Sequence, residues 1–477
     1  MNRQTNDSLY RPMNISIIKC SSIGILLFIV VLTSCSVKRY EKPTVADADQ
    51  LIRNSAQHDS TYDVAAISWR EFYKDPQLVQ LIEAGLENNI NLQIAMRRIE
   101  QAEAYVTQSK AAFFPTLNAY AQGGANNGLI GGTWDGKGVL NFGLSSSWEL
   151  DVWGKLRSAK RAQVTALLAQ ANNRTAIQTT LIANLATAYY SLISLDVQRQ
   201  VIIDQISARE DYLNTVRALK ESAKVNEVAV LQAEAQLQVA KAYLPEIAMG
   251  IQMTENSICL LLGEPSRAID RSPHKTLSEL QFPEENTGLS ALLLKNRPDV
   301  RAAELGVESH FQQVNVARAA MYPALTITGN ISTDASTFNN WFRMPESIVW
   351  SAIGGLTQPI FNGLKLRTQK KVAQKEFEIA VLDYRNTILN AGMEVSNALL
   401  KARMTKEKAT YQMVQLRALE KAYDFSLDLL KSAYGTYLDV LNAQQGVLNA
   451  QLSLIECYKD NINARVELFR ALGGGGF

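Results

Sequence analysis

Two periodicities alternate along the chain. Apolar residues recur at helical spacing from Leu78 (Leu78, Leu81, Ile82, Leu86), among good helix formers, which predicts a helix over 78–112. Pro115 closes it, because proline lacks an N–H and opposes helix in the residue before it. Asn91 and Asp299 are the predicted N-caps of this helix and its later counterpart. The period then changes to two. Leu140, Phe142, Leu144, Trp148 and Leu150 share one strand face, and Asn141, Gly143, Ser145, Ser147, Glu149 and Asp151 share the other. An apolar face towards lipid and a polar face towards a wet lumen mark a transmembrane β-strand. Leu325, Ile327 and Ile331 against Thr326, Thr328 and Asn330 repeat the pattern, and Leu117, Ala119 and Ala121 do so weakly. A fourth strand near Ile348 to Thr357 alternates too poorly to set its register, and the Gly/Asn-rich stretch Gly123–Gly138 reads as a loop. No proline occurs between Lys155 and about Lys220, so one helix or two stacked helices there could reach about 90–100 Å.

The pattern is written twice. Asn88-Asn89-Ile90-Asn91-Leu92 recurs as Asn296-Arg297-Pro298-Asp299-Val300, and Ala111-Ala112-Phe113-Phe114-Pro115 as Ala319-Ala320-Met321-Tyr322-Pro323. Val152-Trp153-Gly154-Lys155-Leu156 matches Phe361-Asn362-Gly363-Leu364-Lys365. Val230-Leu231-Gln232-Ala233-Glu234 matches Val440-Leu441-Asn442-Ala443-Gln444, and Leu262-Gly263 matches Leu472-Gly473. Each half reads helix, strand, loop, strand, long helix, helix. The expected organisation is a signal segment 1–34, an extended segment 35–75, a first repeat 76–270, a polar connector 271–288 and a second repeat 289–477. Strands are expected near 115–122 and 139–152, then near 323–332 and 347–359. The fold class is mainly α with a membrane β part. Four strands cannot close a barrel and lipid does not tolerate an open edge, so several chains must share one barrel. A soluble four-stranded sheet on helices is the competing reading, but it would not need a complete polar second face.

Bulk composition alone would describe a soluble protein. The 477 residues carry 48 Lys+Arg against 46 Asp+Glu, which gives no basic surface for nucleic acid. Mean hydropathy is −0.09, and no run of 18 apolar residues exists. His58, His274 and His310, with Cys20, Cys35, Cys259 and Cys457, show no metal-ligand spacing. Cys259 and Cys457 read as reduced, buried helix cysteines. The apolar run Ile23–Leu32 is too short to span a bilayer; with Lys19 before it and Thr33-Ser34-Cys35 after it, it reads as a secretory signal starting from Met1 or Met13. Leu32-Thr33-Ser34-Cys35 resembles a lipoprotein signal, whose cysteine becomes an acylated N-terminus. Ser36 is not the aspartate that resembles an inner-membrane retention mark, so the outer membrane is expected.

Ser68-Trp69-Arg70-Glu71-Phe72, Asp75-Pro76-Gln77-Leu78 and Arg97–Ala104 resemble the opening of TolC-like outer membrane efflux lipoproteins of the NodT type. Arg297-Pro298-Asp299-Val300-Arg301-Ala302-Ala303-Glu304 resembles a signature of that family, as do Pro359–Gly363 and Tyr437–Gln444. The resemblance implies a homotrimer in which each chain gives four strands to a shared β-barrel and long helices to an α-helical barrel. It also implies a lipid-anchored, passive duct that meets a periplasmic adaptor and an inner-membrane resistance-nodulation-division transporter. The tip is expected at two helix–helix turns near Lys220–Asn226 and Ser432–Thr436, with Gly435 and Thr436 in the second. Asp439 matches one position of the family's aspartate constriction; the position three residues on is Asn442, and the first copy has Ala229 in place of Asp439. The family's usual turn glycine is replaced by Ala223 and Ala433, so a positive φ would fall to Gly435. An ordinary aspartate at a helix start is the competing reading of Asp439.

No enzyme motif survives. Gly473–Gly476 has no following Lys-Ser/Thr and no helix after it, so it is no phosphate loop. Glu284-Glu285, and Asp270 with Glu264, read as solvated connector charges, and no cofactor or metal is expected. A structural coiled-coil lipoprotein without transport is the alternative function.

Overall fold

The computed structural model describes residues 38–43, 68–130, 133–273, 277–279, 297–335, 345, 347–432 and 434–474, with the side chains of 125–140 and 334–335 left aside. The signal segment, Cys35, most of the connector, and Ala433 lie outside the described residues. The elements are α1 (Trp69–Phe72), α2 (Pro76–Asn88), α3 (Ile90–Ala111), β1 (Thr116–Ile130), β2 (Thr133–Leu150), α4 (Lys155–Glu221) and α5 (Glu227–Leu262). Then follow α6 (Pro298–Ala319), β3 (Ala324–Ala335), β4 (Ile348–Thr357), α7 (Lys365–Lys431) and α8 (Tyr437–Ala471). The repeat is visible in the lengths: α3 and α6 have 22 residues each, and α4 and α7 have 67 each. At about 1.5 Å per residue each 67-residue helix runs about 100 Å, one helix and not two. Among the described residues no helix is long and apolar enough to cross a membrane.

Two of the expected caps fall elsewhere. Asn89, not Asn91, caps α3: its Oδ1 accepts from the Leu92 N–H at 3.1 Å. Asp299 lies inside the first turn of α6, with its carboxylate on Arg297 at 2.7 Å. One landmark of the duplication also shifts by one residue. Helices α4 and α7 begin at Lys155 and Lys365, so Leu364 is the counterpart of Gly154, and both are left-handed (φ 65° and 74°). Matching glycine to glycine pairs Gly154 with Gly363, which is left-handed too (φ 62°), so the one-residue shift shows in the helix starts and not in the backbone angle.

The chain divides into two compact units, with α3, α4, α6 and α7 contributing to both. The unit built from 105–164 and 308–378, with 38–42, holds one antiparallel sheet in the order β1-β2-β3-β4. Pairing aligns Leu144 with Ile331 and Trp350, and Leu150 with Leu325 and Leu356, in apolar rows across one face. Asn118, Ser145, Asn330 and Ser351 form a row on the other face. Tyr120 is paired with Gly143 but donates its hydroxyl to Asn330 Oδ1 at 2.8 Å, so its side chain crosses β2 where glycine leaves room. A Cβ at Gly143 would come within 2.5 Å of the Ile331 carbonyl oxygen. The β1–β2 ladder runs on through the glycine-rich stretch to Ile130 opposite Thr133. Ladder bonds need only backbone, so glycine can be paired without showing an alternating pattern.

The repeats also share the anchors that start each hairpin. Trp148 Nε1–H donates to the Phe113 carbonyl at 2.9 Å, and Gln358 Nε2–H donates to the Met321 carbonyl at 3.1 Å.

The second unit holds the helical core. Trp69, Phe72 and Tyr73 are buried, and Phe72 stacks on Phe469 of α8 with centroids 4.2 Å apart. Asp75 caps α2 through the Gln77 N–H and also accepts from the Tyr189 hydroxyl at 2.8 Å, tying α2 to α4. Cys259 and Cys457 are free and buried. Both repeats join the end of the last helix to the start of the first in the same way. Asn89 Nδ2–H donates to the Leu261 carbonyl at 2.7 Å, and Arg297 Nη1–H donates to the Ala471 carbonyl at 2.9 Å. Left-handed Gly263 and Gly473 end α5 and α8 beside these anchors; a Cβ at Gly263 would meet the Asn88 carbonyl oxygen at 2.7 Å.

Arg297 is buried and holds Asp299 at 2.7 Å and Glu394 at 2.8 Å. Burial pulls its pKa down, but the hydrogen bonds and charges of Asp299 and Glu394 outweigh this and raise it above the usual arginine value. Burial likewise pushes Asp299 up, and Arg297 with the Val300 N–H overcomes it, holding Asp299 below its ordinary 3.8. A carboxylate with a depressed pKa stabilises the fold fully above that ordinary value and loses its contribution as pH falls through its own lower value. Arg297→Met should lower stability by about 2–4 kcal/mol, because Asp299 loses its cationic partner while Glu394 keeps only Arg470, at 3.2 Å. Asp299→Asn should flatten the loss of stability below pH 3.8, read by circular dichroism melts across acid pH.

Candidate functional site

The two helix–helix turns lie at Ser222–Asn226 and Ser432–Thr436, between α4 and α5 and between α7 and α8. Helix α4 ends in a Schellman motif: the Lys224 N–H reaches the Leu219 carbonyl and the Ala223 N–H reaches the Lys220 carbonyl, both at 2.9 Å. Ala223 sits at the left-handed position, φ 59°, where glycine is the usual residue. In the second turn the Tyr434 N–H reaches the Leu429 carbonyl at 2.9 Å and the Gly435 N–H reaches it at 3.1 Å. Gly435 does not have the positive φ expected of it. Close packing is what requires a glycine there, because a Cβ would lie 2.9 Å from Leu429 Cβ and 3.1 Å from the Leu430 nitrogen.

The helices that leave the turns are capped differently. In the first copy the Asn226 side chain accepts from the Ala229 N–H at 3.2 Å. In the second, Thr436 and Asp439 form a full capping box. The Asp439 N–H donates to Thr436 Oγ1 at 3.3 Å, and Asp439 Oδ2 accepts from the Thr436 N–H at 3.2 Å and from its hydroxyl at 2.6 Å. The Thr436 hydroxyl, and then its N–H, hold the Asp439 carboxyl below the usual carboxylate range. Asp439 is exposed, so it is an ionised group on the surface of the turn. Thr436 and Gly435 thus have defined roles beside it, one as cap and one as close contact.

Beneath the turns the two hairpins share a core that includes Tyr212, Val216, Val230, Leu430 and Val440. The Tyr212 hydroxyl donates to the Tyr437 carbonyl at 3.2 Å, and burial pushes that phenol well above its ordinary pKa. Further from the turns, buried Arg209 donates to the Gln236 carbonyl at 2.6 Å and to Gln445 Oε1 at 3.1 Å. Sequence reading missed Arg209, which lies among apolar helix positions without a motif. Among the described residues no group of His, Cys, Asp or Glu could hold a metal ion.

The duplicated strand pairs, the long helices and the paired turns define a class. The model of the outer membrane efflux protein family matches residues 81–264 and again 289–474, so the chain belongs to that family and is an outer membrane efflux channel. Its fold is TolC-like. The solvent efflux pump outer membrane protein SrpC of Pseudomonas putida is 32% identical over 418 residues, covering 85% of this chain and 87% of the relative. "Probable outer membrane lipoprotein SilC" of Salmonella typhimurium is 27% identical over 408 residues, covering 85% and 88%. The open-state MtrE outer membrane channel of Neisseria gonorrhoeae superposes with a TM-score of 0.79 at 25% identity, covering 92% of this chain and 98% of that one.

Ala223 carries a cost that glycine would not, about 1 kcal/mol for a left-handed non-glycine residue. Ala223→Gly should slow hydrogen exchange at Ser222–Val225 and raise local stability by up to about 1 kcal/mol, the gain being reduced by the freer unfolded chain.

Proposed function

We propose that three copies of the chain form one passive duct through the outer membrane, anchored by lipid at Cys35 and closed at the helical turns. The observation that carries this reading is the sheet. It presents apolar rows on one face, yet among the described residues β1 and β4 each have a single neighbour. In hydrocarbon both edges need a partner strand, which further copies would supply. The helices ask for the same neighbours. Val372, Ile379, Leu382, Leu389, Met393 and Leu400 of α7 are exposed at steps of three, four and seven residues, the spacing of a coiled-coil seam. Val228, Leu231, Val239, Met249 and Met253 make a similar exposed stripe on α5.

The anchor is supported by the segment just after Cys35. The Lys38 carbonyl accepts from Asn315 Nδ2–H at 3.2 Å, and Tyr40 packs on Phe311 at 5.6 Å, both on the helix that leads into β3. Three residues of extended chain reach about 10 Å, so an acylated Cys35 would remain near the membrane end of that helix. At the turns, Tyr434, Val228 and Leu438 expose apolar surface, which suits docking of a periplasmic adaptor that links the duct to an inner-membrane resistance-nodulation-division transporter. Three copies of Asp439 around one axis would form an anionic ring at the constriction, attracting cations while shut. Cargo is selected by the pump in this scheme, so the solvent role in SrpC's name does not transfer.

Reconstitution into a planar bilayer should give a stable pore, and Asp439→Asn should weaken block by divalent cations several-fold. Unchanged block and conductance would remove the ring. Labelling with a radioactive palmitate precursor should mark the wild-type chain and not Cys35→Ala; label retained by the variant would exclude this anchor.

A further inference from the structure

The internal repeat also specifies how one copy meets the next. β1 and β3 start at Thr116 and Ala324, an offset of 208 residues, and these residues pair with Ser147 and Thr357, an offset of 210. The bonds from Trp148 to Phe113 and from Gln358 to Met321 carry the same two offsets. β1 and β2 therefore map onto β3 and β4 residue by residue at this end of the sheet.

Strand β2 continues past its ladder with β1. Trp148, Glu149 and Leu150 pair only with β3, opposite Ile327, Thr326 and Leu325. Their counterparts in the second repeat are Gln358, Pro359 and Ile360, which follow the end of β4 and have no strand beside them among the described residues. Ile360 is 98% exposed and Phe361 86% exposed. On the opposite edge Leu117 is 69% exposed, and Phe114 just before β1 is 70% exposed. The repeat pairs these two bare patches, because Leu117 stands to Ile360 as Leu325 stands to Leu150.

We propose that β4 of one copy pairs with β1 of the next in the register of the internal β2–β3 ladder: Ile360 opposite Leu117, Gln358 opposite Ala119 and Leu356 opposite Ala121. The proposal rests on the reading that several copies share a barrel and adds the register by which they close it. In this register β4 lengthens from Thr357 to Ile360, as β2 is lengthened by β3. Pro359 then lies near the end of the ladder, where a missing N–H is tolerated. The faces agree as well. Leu356 shares the apolar row of Leu150 and Leu325, and Leu117, Ala119 and Ala121 lie on that same face. A slip of one residue would turn β1's apolar side to the lumen.

The test is cysteine cross-linking in the full-length protein in outer membranes. Leu117 and Ile360 lie on opposite edges of a four-stranded sheet, at least about 14 Å apart at about 4.8 Å per strand, and Leu117 is level with Ala352 and not with Ile360. A disulfide needs Cα atoms within about 7 Å, so the pair can only join two copies. Mild oxidation of the Leu117→Cys, Ile360→Cys double variant should give a covalent trimer in more than half of the protein, whereas either single variant should give none. The double variant Leu117→Cys, Leu356→Cys, four residues out of register and about 13 Å away, should link at least tenfold less. Efficient linking of the displaced pair, or none from either pair in a protein that native mass measurement shows to be trimeric, overturns the register. A single-chain mass in the same measurement overturns the shared barrel itself, and the register with it.

Discussion

Every backbone N–H and C=O placed in hydrocarbon must be bonded, and each one left open costs several kcal/mol. Among the described residues the sheet meets that requirement on three ladders and leaves it open at the outer sides of β1 and β4. Much of the rest follows from this one constraint. Apolar rows through Leu144, Ile331 and Trp350 suit lipid, but the rows alone could not keep a four-stranded sheet there. The same chain also carries long helices whose exposed stripes have coiled-coil spacing, so strand edges and helix faces ask for the same kind of neighbour. A duplicated chain is suited to it, since a junction that works between β2 and β3 can be used again between copies.

How much of this was legible in the sequence depended on which atoms make the contact. The strand Leu140–Leu150 was readable because its two faces differ in side chain. β4 was not, because Val349 and Ile353 stand in rows with polar Ser332 and Thr328 and break the period of two. Its register is fixed by backbone pairing, which side chains need not record. The glycine-rich end of the first hairpin was hidden for the same reason. The duplication itself was legible, including the drift of two residues, yet the glycine landmark slid by one position: Gly363 and Leu364 are both left-handed, and the start of α7 at Lys365 makes Leu364 the counterpart of Gly154. The cap at Asn89 was misplaced by two residues because a second asparagine, Asn91, looks identical in one-dimensional terms.

At the turns, the sequence located the segment but not the reason for each residue. A positive φ was expected to need glycine, and Ala223 adopts one at φ 59° because the Schellman bonds to Leu219 and Lys220 over-determine it. Gly435 was expected for its angle and is required for its lack of a side chain against Leu429. The family signature around Arg297 was legible as a motif only. Its physical content is a buried cation that bonds the Ala471 carbonyl at the helix end and neutralises Asp299 and Glu394. The neutral Asn89 does the equivalent work in the first repeat without any charge.

That difference points to where the two copies have diverged. Both repeats keep the same strand anchors, helix lengths and glycine-ended junctions, which are matters of folding. They part where a charged group is present in one copy and missing from the other, and Asp439 against Ala229 is the clearest instance. The capping box gives Asp439 a structural reason to exist, and that role is compatible with the gate proposed for it. The Thr436 hydroxyl and N–H bond one carboxylate oxygen, fix its rotamer and keep it ionised, which is what a fixed charge at a constriction needs. Asn226 caps the first copy's helix without any carboxylate, so the fold did not require an aspartate. In a three-copy assembly the charge would therefore come from one hairpin per chain: the wall would be built from two near-equivalent repeats, but a ring of Asp439 at its mouth would draw on one repeat alone.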